Sequence, residues 1–376
     1  FKWELLKNGD VAASGTLQVS LPAGSSKEVK LPLPALQQES GAEYLLNVYA
    51  YAKYPSEMIP EGHEVAREQF ALNGNSYFAG QKSTTGAIDM KEENNVLFFT
   101  CGDVRISFNK RNGELNGYRY QDKMLLGHAP QPQFWRAPTD NDFGNRMGIL
   151  CNVWRTAGQN KEFKGMNVER KDGAVTLTSI YYLRDVASDY TVKYTVYADG
   201  RVEVNGSWKA GNIALPEIPR FGMQMTLAQE FDQFSWYGRG PWENYSDRNT
   251  ASFIGKYTST VDEQYVAYIR PQENGNKTDV RWLTLTNKEG FGLRIDGLQP
   301  LSVSALRNYP EDFDAGLTKS QRHINDINPR KAVVLHVDLA QRGVGGDNSW
   351  GMYPHEPYLL KAKEYTYGYV ISPVAK

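Results

Sequence analysis

Apolar and polar residues alternate along most of this chain with the two-residue period of half-buried strands. The clearest run, residues 190–198 (YTVKYTVYA), alternates strictly, meets Asp199-Gly200 and continues through residues 201–208. An Asp-Gly pair between two alternating runs predicts a hairpin, because both residue types tolerate the positive φ of a tight turn. Residues 103–108 and 114–120 flank Asn109 to Gly113 in the same way, and 280–286 and 291–295 flank Asn287 to Gly290. Towards the N-terminus four shorter runs read as strands: 16–21, 27–33, 44–52 and 65–72. Asn8-Gly9-Asp10, Pro22-Ala23-Gly24 and Pro55-Ser56 supply the turn residues between them. Helical patterns are confined to 149–157 and to 310–317, where Pro310 suits a first helical turn.

This pattern predicts an all-β chain in two parts. Residues 1–72 read as an immunoglobulin-like β-sandwich and 73–93, polar and Gly-rich, as a linker. Residues 94–376 are too many for a second such sandwich and fit a large antiparallel β-supersandwich. An immunoglobulin sandwich needs ~100 residues, so the first domain is expected to lack its opening strands. The chain also opens on Phe1-Lys2-Trp3-Glu4 as if already within a strand, and is expected to be a piece of something longer.

Composition narrows the function. Forty-two basic and 43 acidic side chains leave a formal charge of −1, which removes the electrostatic case for nucleic acid or a polybasic membrane contact. No apolar run approaches the ~18 residues of a membrane span. Cys101 and Cys151 are the only cysteines, and they read as buried free thiols unless the fold brings their Cα atoms within ~7 Å. The five histidines are scattered without ligand spacing, so no metal site is predicted.

Three segments depart from strand-and-turn logic. FWRAPTDNDFGNR (134–146) crowds Arg136, Asp140, Asn141 and Asp142 into a stretch that Pro138 and Gly144 should keep non-helical. It offers carboxylates and amides to a sugar, a cation or a neighbouring domain, or else bonds internally through Asx-turns. WYGRGPWENYSDR (236–248), echoed by YIRPQENG (268–275), sets aromatic rings beside Arg, Glu and Asn. That is the composition of a carbohydrate platform, or of a buried ion-paired corner. GVGGDNSWG (343–351) is not a phosphate loop, since no Lys-Ser/Thr and no helix follow. It presents Trp350 on a shaped, Gly-rich support.

These segments, in this order and with PQENGNKTDVRW (271–282), resemble the C-terminal small-chain domain of bacterial β-galactosidases of glycoside hydrolase family 2. Residues 3–72 are similar to the immunoglobulin-like domain before it. The resemblance covers essentially the whole chain and implies a galactose-mutarotase-like supersandwich behind a partial sandwich. It also implies that the retaining pair of glutamates lies upstream, on a (β/α)₈ barrel. The acid/base glutamate of that pair follows an asparagine; the dipeptide Asn-Glu is absent here, and no βα repeat exists to build a barrel. No catalytic residue is therefore expected in this chain.

The tryptophan of the family's GDDSW or GDNSW motif packs against the sugar, a role that falls to Trp350. The family's mobile loop corresponds to Gly144, Asn145, Arg146 and Gly148, with Phe143 in place of the aliphatic residue of some members. Arg136, Asp140, Asn141, Asp142, Asp347 and Asn348 would support these elements. The resemblance implies no cofactor in this chain, because the family's Mg and Na sites lie on other domains. Implied partners are the catalytic barrel and other domains of the same enzyme and a galactoside substrate, with homo-oligomer formation left open. The compartment, bacterial cytoplasm or periplasm, is equally open. Two alternatives stand beside this reading: a stand-alone aldose mutarotase-like enzyme, and a purely carbohydrate-binding or structural module.

Overall fold

The computed structural model describes residues 1–36, 39–72, 77–78, 86–317 and 322–375. The chain divides into two compact units, Phe1–Gln81 and Lys82–Lys376. Of the segment read as a linker, residues 73–76 and 79–85 lie outside the described residues. Asp89–Glu93, at its end, form a strand paired with Val96–Cys101.

The first unit is one antiparallel sheet of four strands, in the order Asp10–Thr16, Lys2–Lys7, Tyr44–Tyr51, Glu64–Leu72. Asn8 and Gly9 turn the first hairpin with φ of 51° and 83°. Trp3, Leu5, Tyr44 and Leu46 form its core. The strands expected at 16–21 and 27–33 are not present; the chain from 17 to 36 is irregular. Pro22, Pro32 and Pro34 explain this, since each removes a ladder donor. The apolar residues that suggested strands, Leu17, Leu31, Leu33 and Leu36, still pack on the core without pairing.

The second unit holds a five-stranded sheet, from Asp89–Glu93 to Lys123–Met124, and a twelve-stranded antiparallel sheet. The predicted 190–208 hairpin is Ser188–Val196 paired with Val202–Trp208. Its inward residues follow the period of two: Tyr190, Val192, Tyr194 and Val196 face the core opposite Trp208, Gly206, Val204 and Val202. A side chain at Gly206 would meet the Tyr190 hydroxyl at 2.6 Å, so glycine leaves room for that ring. Only Gly200 takes a positive φ, because the loop is longer than two residues and Tyr197 N–H donates to the Arg201 carbonyl.

The fifteen-residue strand Gly292–Leu306 joins two regions of the large sheet. Residues 292–297 pair with Tyr365–Val374 and residues 302–306 with Ala332–Gln341, while Lys277–Thr286 runs along both halves. Helices are short. The expected 149–157 helix is a turn at Met147–Leu150 followed by a 3₁₀ turn at Asn152–Trp154, and the expected 310–317 helix ends at Phe313. Among the described residues no helix is long and apolar enough to cross a membrane.

Candidate functional site

The RAPTDNDFG segment, expected to be non-helical, contains the helix Asp140–Gly144. Thr139 caps it: its hydroxyl accepts from Asp142 N–H, and the Asp142 carboxylate reaches back to the Thr139 N–H at 2.8 Å. This reciprocal capping box outweighs the flanking Pro138.

Asp142 is fully buried and collects the surrounding donors. Arg136 gives it a two-armed ion pair at 2.6 and 3.2 Å, and Arg342 donates at 2.8 Å. The same Arg136 donates to the Gly343 carbonyl at 3.1 Å, and Arg342 binds Glu217 at 2.9 Å. Two buried guanidiniums are thus balanced by two carboxylates, as a charge taken out of water requires. This cluster fixes the base of the GVGGDNSWG loop.

The loop itself is held at three points. Gly345 N–H donates to Asp247 at 2.9 Å. Asn348 Oδ1 accepts from Trp350 N–H at 3.1 Å and Met352 N–H at 3.2 Å. Gly351, at φ +131°, lies directly on Gly144, where a built Cβ would stand 2.5 Å from the Trp350 carbonyl oxygen. The loop therefore has a firm base, yet the Trp350 side chain is 76% exposed. Asp347 pairs outward with His355 at 2.7 Å.

Of the expected loop residues, Asn145 is buried, accepts from Met147 N–H and binds the Met352 carbonyl. Arg146 takes φ 64°, and Gly148 is buried near Pro138. Gly144→Ala should cost roughly 1–3 kcal/mol, because the clash is with backbone that has nowhere to move. Gly148→Ala, whose nearest neighbour would be Pro138 Cγ at 3.8 Å, should be tolerated. Thermal unfolding of the two variants checks this, and equal shifts would remove the packing argument.

Beside the loop lies a cleft of about 230 Å³ lined by residues 139–141, Tyr245, Arg248, Tyr268, Gln272, Glu273, Val344 and Ser349. The three motifs therefore meet at one place. Each carboxylate is already engaged. Asp140 binds Arg270 at 2.9 Å, Glu273 binds Arg220 at 3.0 and 3.1 Å, and Glu243 binds Arg248 and the Tyr268 hydroxyl. Burial and that bond to Glu243 raise the Tyr268 phenol above its usual range. Cys101 and Cys151 are buried free thiols, and burial raises them to about 11 and about 12. Among the described residues no group of three or more His, Cys, Asp or Glu is placed to hold a metal ion.

Sequence reading missed Arg342 and Glu217, and the bond of Asp247 to Gly345, because the partners are remote in the chain. A family description, beta galactosidase small chain, matches residues 100–371, and another, beta-galactosidase domain 4, matches residues 1–73. The chain belongs to the β-galactosidase small-chain family. A β-galactosidase of Priestia megaterium is 34% identical over 376 residues, covering 100% of this chain and 36% of that protein. One of Halalkalibacterium halodurans is 30% identical over 90% of this chain and 33% of its own length. The chain thus spans about a third of the length of these relatives. Within the family's small-chain region stand the Arg136–Asp142–Arg342 cluster, the cleft and Trp350.

Proposed function

We propose that this chain is the C-terminal, non-barrel portion of a retaining β-galactosidase, and that Trp350 closes and lines the sugar pocket of that enzyme. The observation that carries this is the contrast within one loop: a firmly anchored backbone bearing a large ring left mostly in water. An exposed indole on a rigid base is suited to stacking on the C–H face of a pyranose, worth ~1–3 kcal/mol. The segment from Gly144 to Gly148 rests on the same backbone, so movement of that segment over the pocket would carry Trp350 with it.

Hydrolysis itself is assigned to glutamates outside this chain. A retaining glycosidase needs two carboxyl groups facing one sugar, about 5–5.5 Å apart, one of them with a raised pKa. Asp140, Glu243 and Glu273 are instead each held by an arginine, Arg270, Arg248 and Arg220. A mutarotase-like reading is less well supported. His336 and Glu273 share a cavity of only about 10 Å³ with Arg220, room for a water but not for a sugar. Burial also lowers His336 well below the usual imidazole range.

The test is Trp350→Ala in the complete enzyme. KM for a β-galactoside should rise by a factor of roughly 5–150, the equivalent of ~1–3 kcal/mol, with little change in thermal stability. An unchanged KM would overturn the assignment of Trp350.

A further inference from the structure

The large sheet opens at one point, around Pro300 and Leu301 of the strand Gly292–Leu306. The ladder between this strand and Ala332–Gln341 ends at the Ser302–Asp338 pair, and Pro300 has no N–H with which to extend it. On the other side, Lys277 pairs with Val303 and Val280 with Leu301, so the strand Lys277–Thr286 carries one extra residue between them. The strand Ala332–Gln341 likewise carries Leu339 as an extra residue opposite the step from Phe221 to Gly222. Bulges of this kind re-aim side chains and are over-represented next to active sites. The first of them holds Asp279 at φ 53°, a left-handed conformation that is unfavourable for a residue with a Cβ.

A cleft of about 180 Å³ occupies the opening. Pro300, Leu301, Leu339 and Ala340 give it an apolar wall. Several of its polar side chains are already committed: Asn276 accepts from Ser302 at 2.9 Å and from Gln341 at 3.1 Å, and Thr278 donates to Asn244 at 2.6 Å. Three others keep hydrogen-bonding capacity. Ser246 is exposed and Asn249 half-buried, and neither side chain makes a hydrogen bond among the described residues. Asp279, partly exposed, uses Oδ2 for Arg239 Nε at 2.5 Å, which leaves Oδ1.

These walls select the ligand. The charge of Asp279 is balanced by Arg239, so an ion would find no uncompensated opposite charge. A hydrocarbon would cover a hydroxyl, an amide and a carboxylate oxygen without bonding any of them. A ring polyol meets both demands, with C–H groups against the apolar wall and hydroxyls towards the polar side chains. We propose that this opening in the sheet is a binding site for a neutral ring polyol of monosaccharide size, a pyranose or a cyclitol, held by Asp279 Oδ1, Asn249 and Ser246. It shares only Tyr245 with the cleft beside the Trp350 loop. It rests neither on the β-galactosidase reading nor on stacking by Trp350.

The 376-residue chain is titrated with galactose, with myo-inositol and with inorganic phosphate, followed by calorimetry and ligand-observed NMR. Galactose or myo-inositol should bind with Kd on the order of 1–10 mM, and phosphate should not. Asn249→Ala and Ser246→Ala should each weaken that binding roughly fivefold, the worth of one hydrogen bond. Both side chains are unbonded in the free chain, so these variants should fold as the parent does. Asn141→Ala, in the other cleft, and Trp350→Ala should leave the binding unchanged. Binding of neither polyol, or equal binding of phosphate, overturns the proposal. Polyol binding that both Asn249→Ala and Ser246→Ala leave unchanged overturns it too. If Trp350→Ala alone abolishes such binding, the role of Trp350 stands without this site.

Discussion

Asp142→Ala is expected to destabilise the second unit by about 3–5 kcal/mol, the cost of removing one partner from a buried ion cluster. Asp142 accepts five hydrogen bonds: from Arg136 Nη1 and Nη2, Arg342 Nη1, the Thr139 N–H and the Thr139 hydroxyl. Truncation leaves two fully buried guanidiniums without the carboxylate they share, and it uncaps the Asp140–Gly144 helix as well. The comparison is Asp140→Ala. Asp140 is also ion-paired, but its side chain is 47% exposed, and screening by water limits such a pair to ~0–1 kcal/mol. Urea denaturation of both variants separates the cases. Equal losses would mean that the cluster does not hold the site together. Because Arg136 also grips the Gly343 carbonyl, Asp142→Ala should in addition expose the 343–351 loop to proteolysis before the rest of the chain unfolds.

The second large effect is a pH dependence centred on Asp338. This residue lies fully buried opposite Gly222, where any side chain would collide with its carboxyl group. Arg220 Nε stands 3.5 Å from Oδ2 without making a hydrogen bond, and its Nη2 is committed to Glu273. Burial therefore wins over the arginine, and the carboxyl group is pushed up to about 8, with Glu273 adding to the rise. Between about pH 4 and pH 8 the unfolded chain gives up this proton while the native chain keeps it. Native stability from Asp338 is thus complete at low pH and falls as pH rises through that window. Asp338→Asn reproduces the neutral acid, so it should match the parent at pH ~3, below the unfolded carboxyl pKa, and exceed it by several kcal/mol at pH ~8. His336 contributes the opposite slope below its unfolded pKa of about 6.5, because it is held neutral in the native chain. Taking the difference between the two proteins at each pH cancels that contribution. A difference that does not vary with pH would show that Asp338 is charged in the native state.

The strands of the second unit were legible where local pattern and tertiary position agree. Residues 190–208 alternate because one face is core, and nothing elsewhere overrides it. Residues 16–21 and 27–33 carry enough apolar side chains to imitate strands, but prolines at 22, 32 and 34 forbid a ladder; their leucines are buried by contact instead. The Asp140–Gly144 helix was within reach of the sequence, since Thr139 and Asp142 stand three residues apart in capping-box spacing. The convergence of RAPTDNDFG and GVGGDNSWG was legible only as the presence of both motifs. Arg342 reaches Asp142 across 200 positions, and no local periodicity records such a contact. The cleft was hidden for a further reason. Its walls come from four separate segments, residues 139–141, 245–248, 268–273 and 344–349.

The contact of Gly144 with Gly351 has a consequence for the order of assembly. Loop closure over so long a separation comes late for a chain of this topology, because the intervening strands must first be arranged. Trp350 can take its position only after the sheets between these two glycines have closed. The exposed ring of Trp350 is thus set in place by a contact between positions 144 and 351 that only the folded second unit makes.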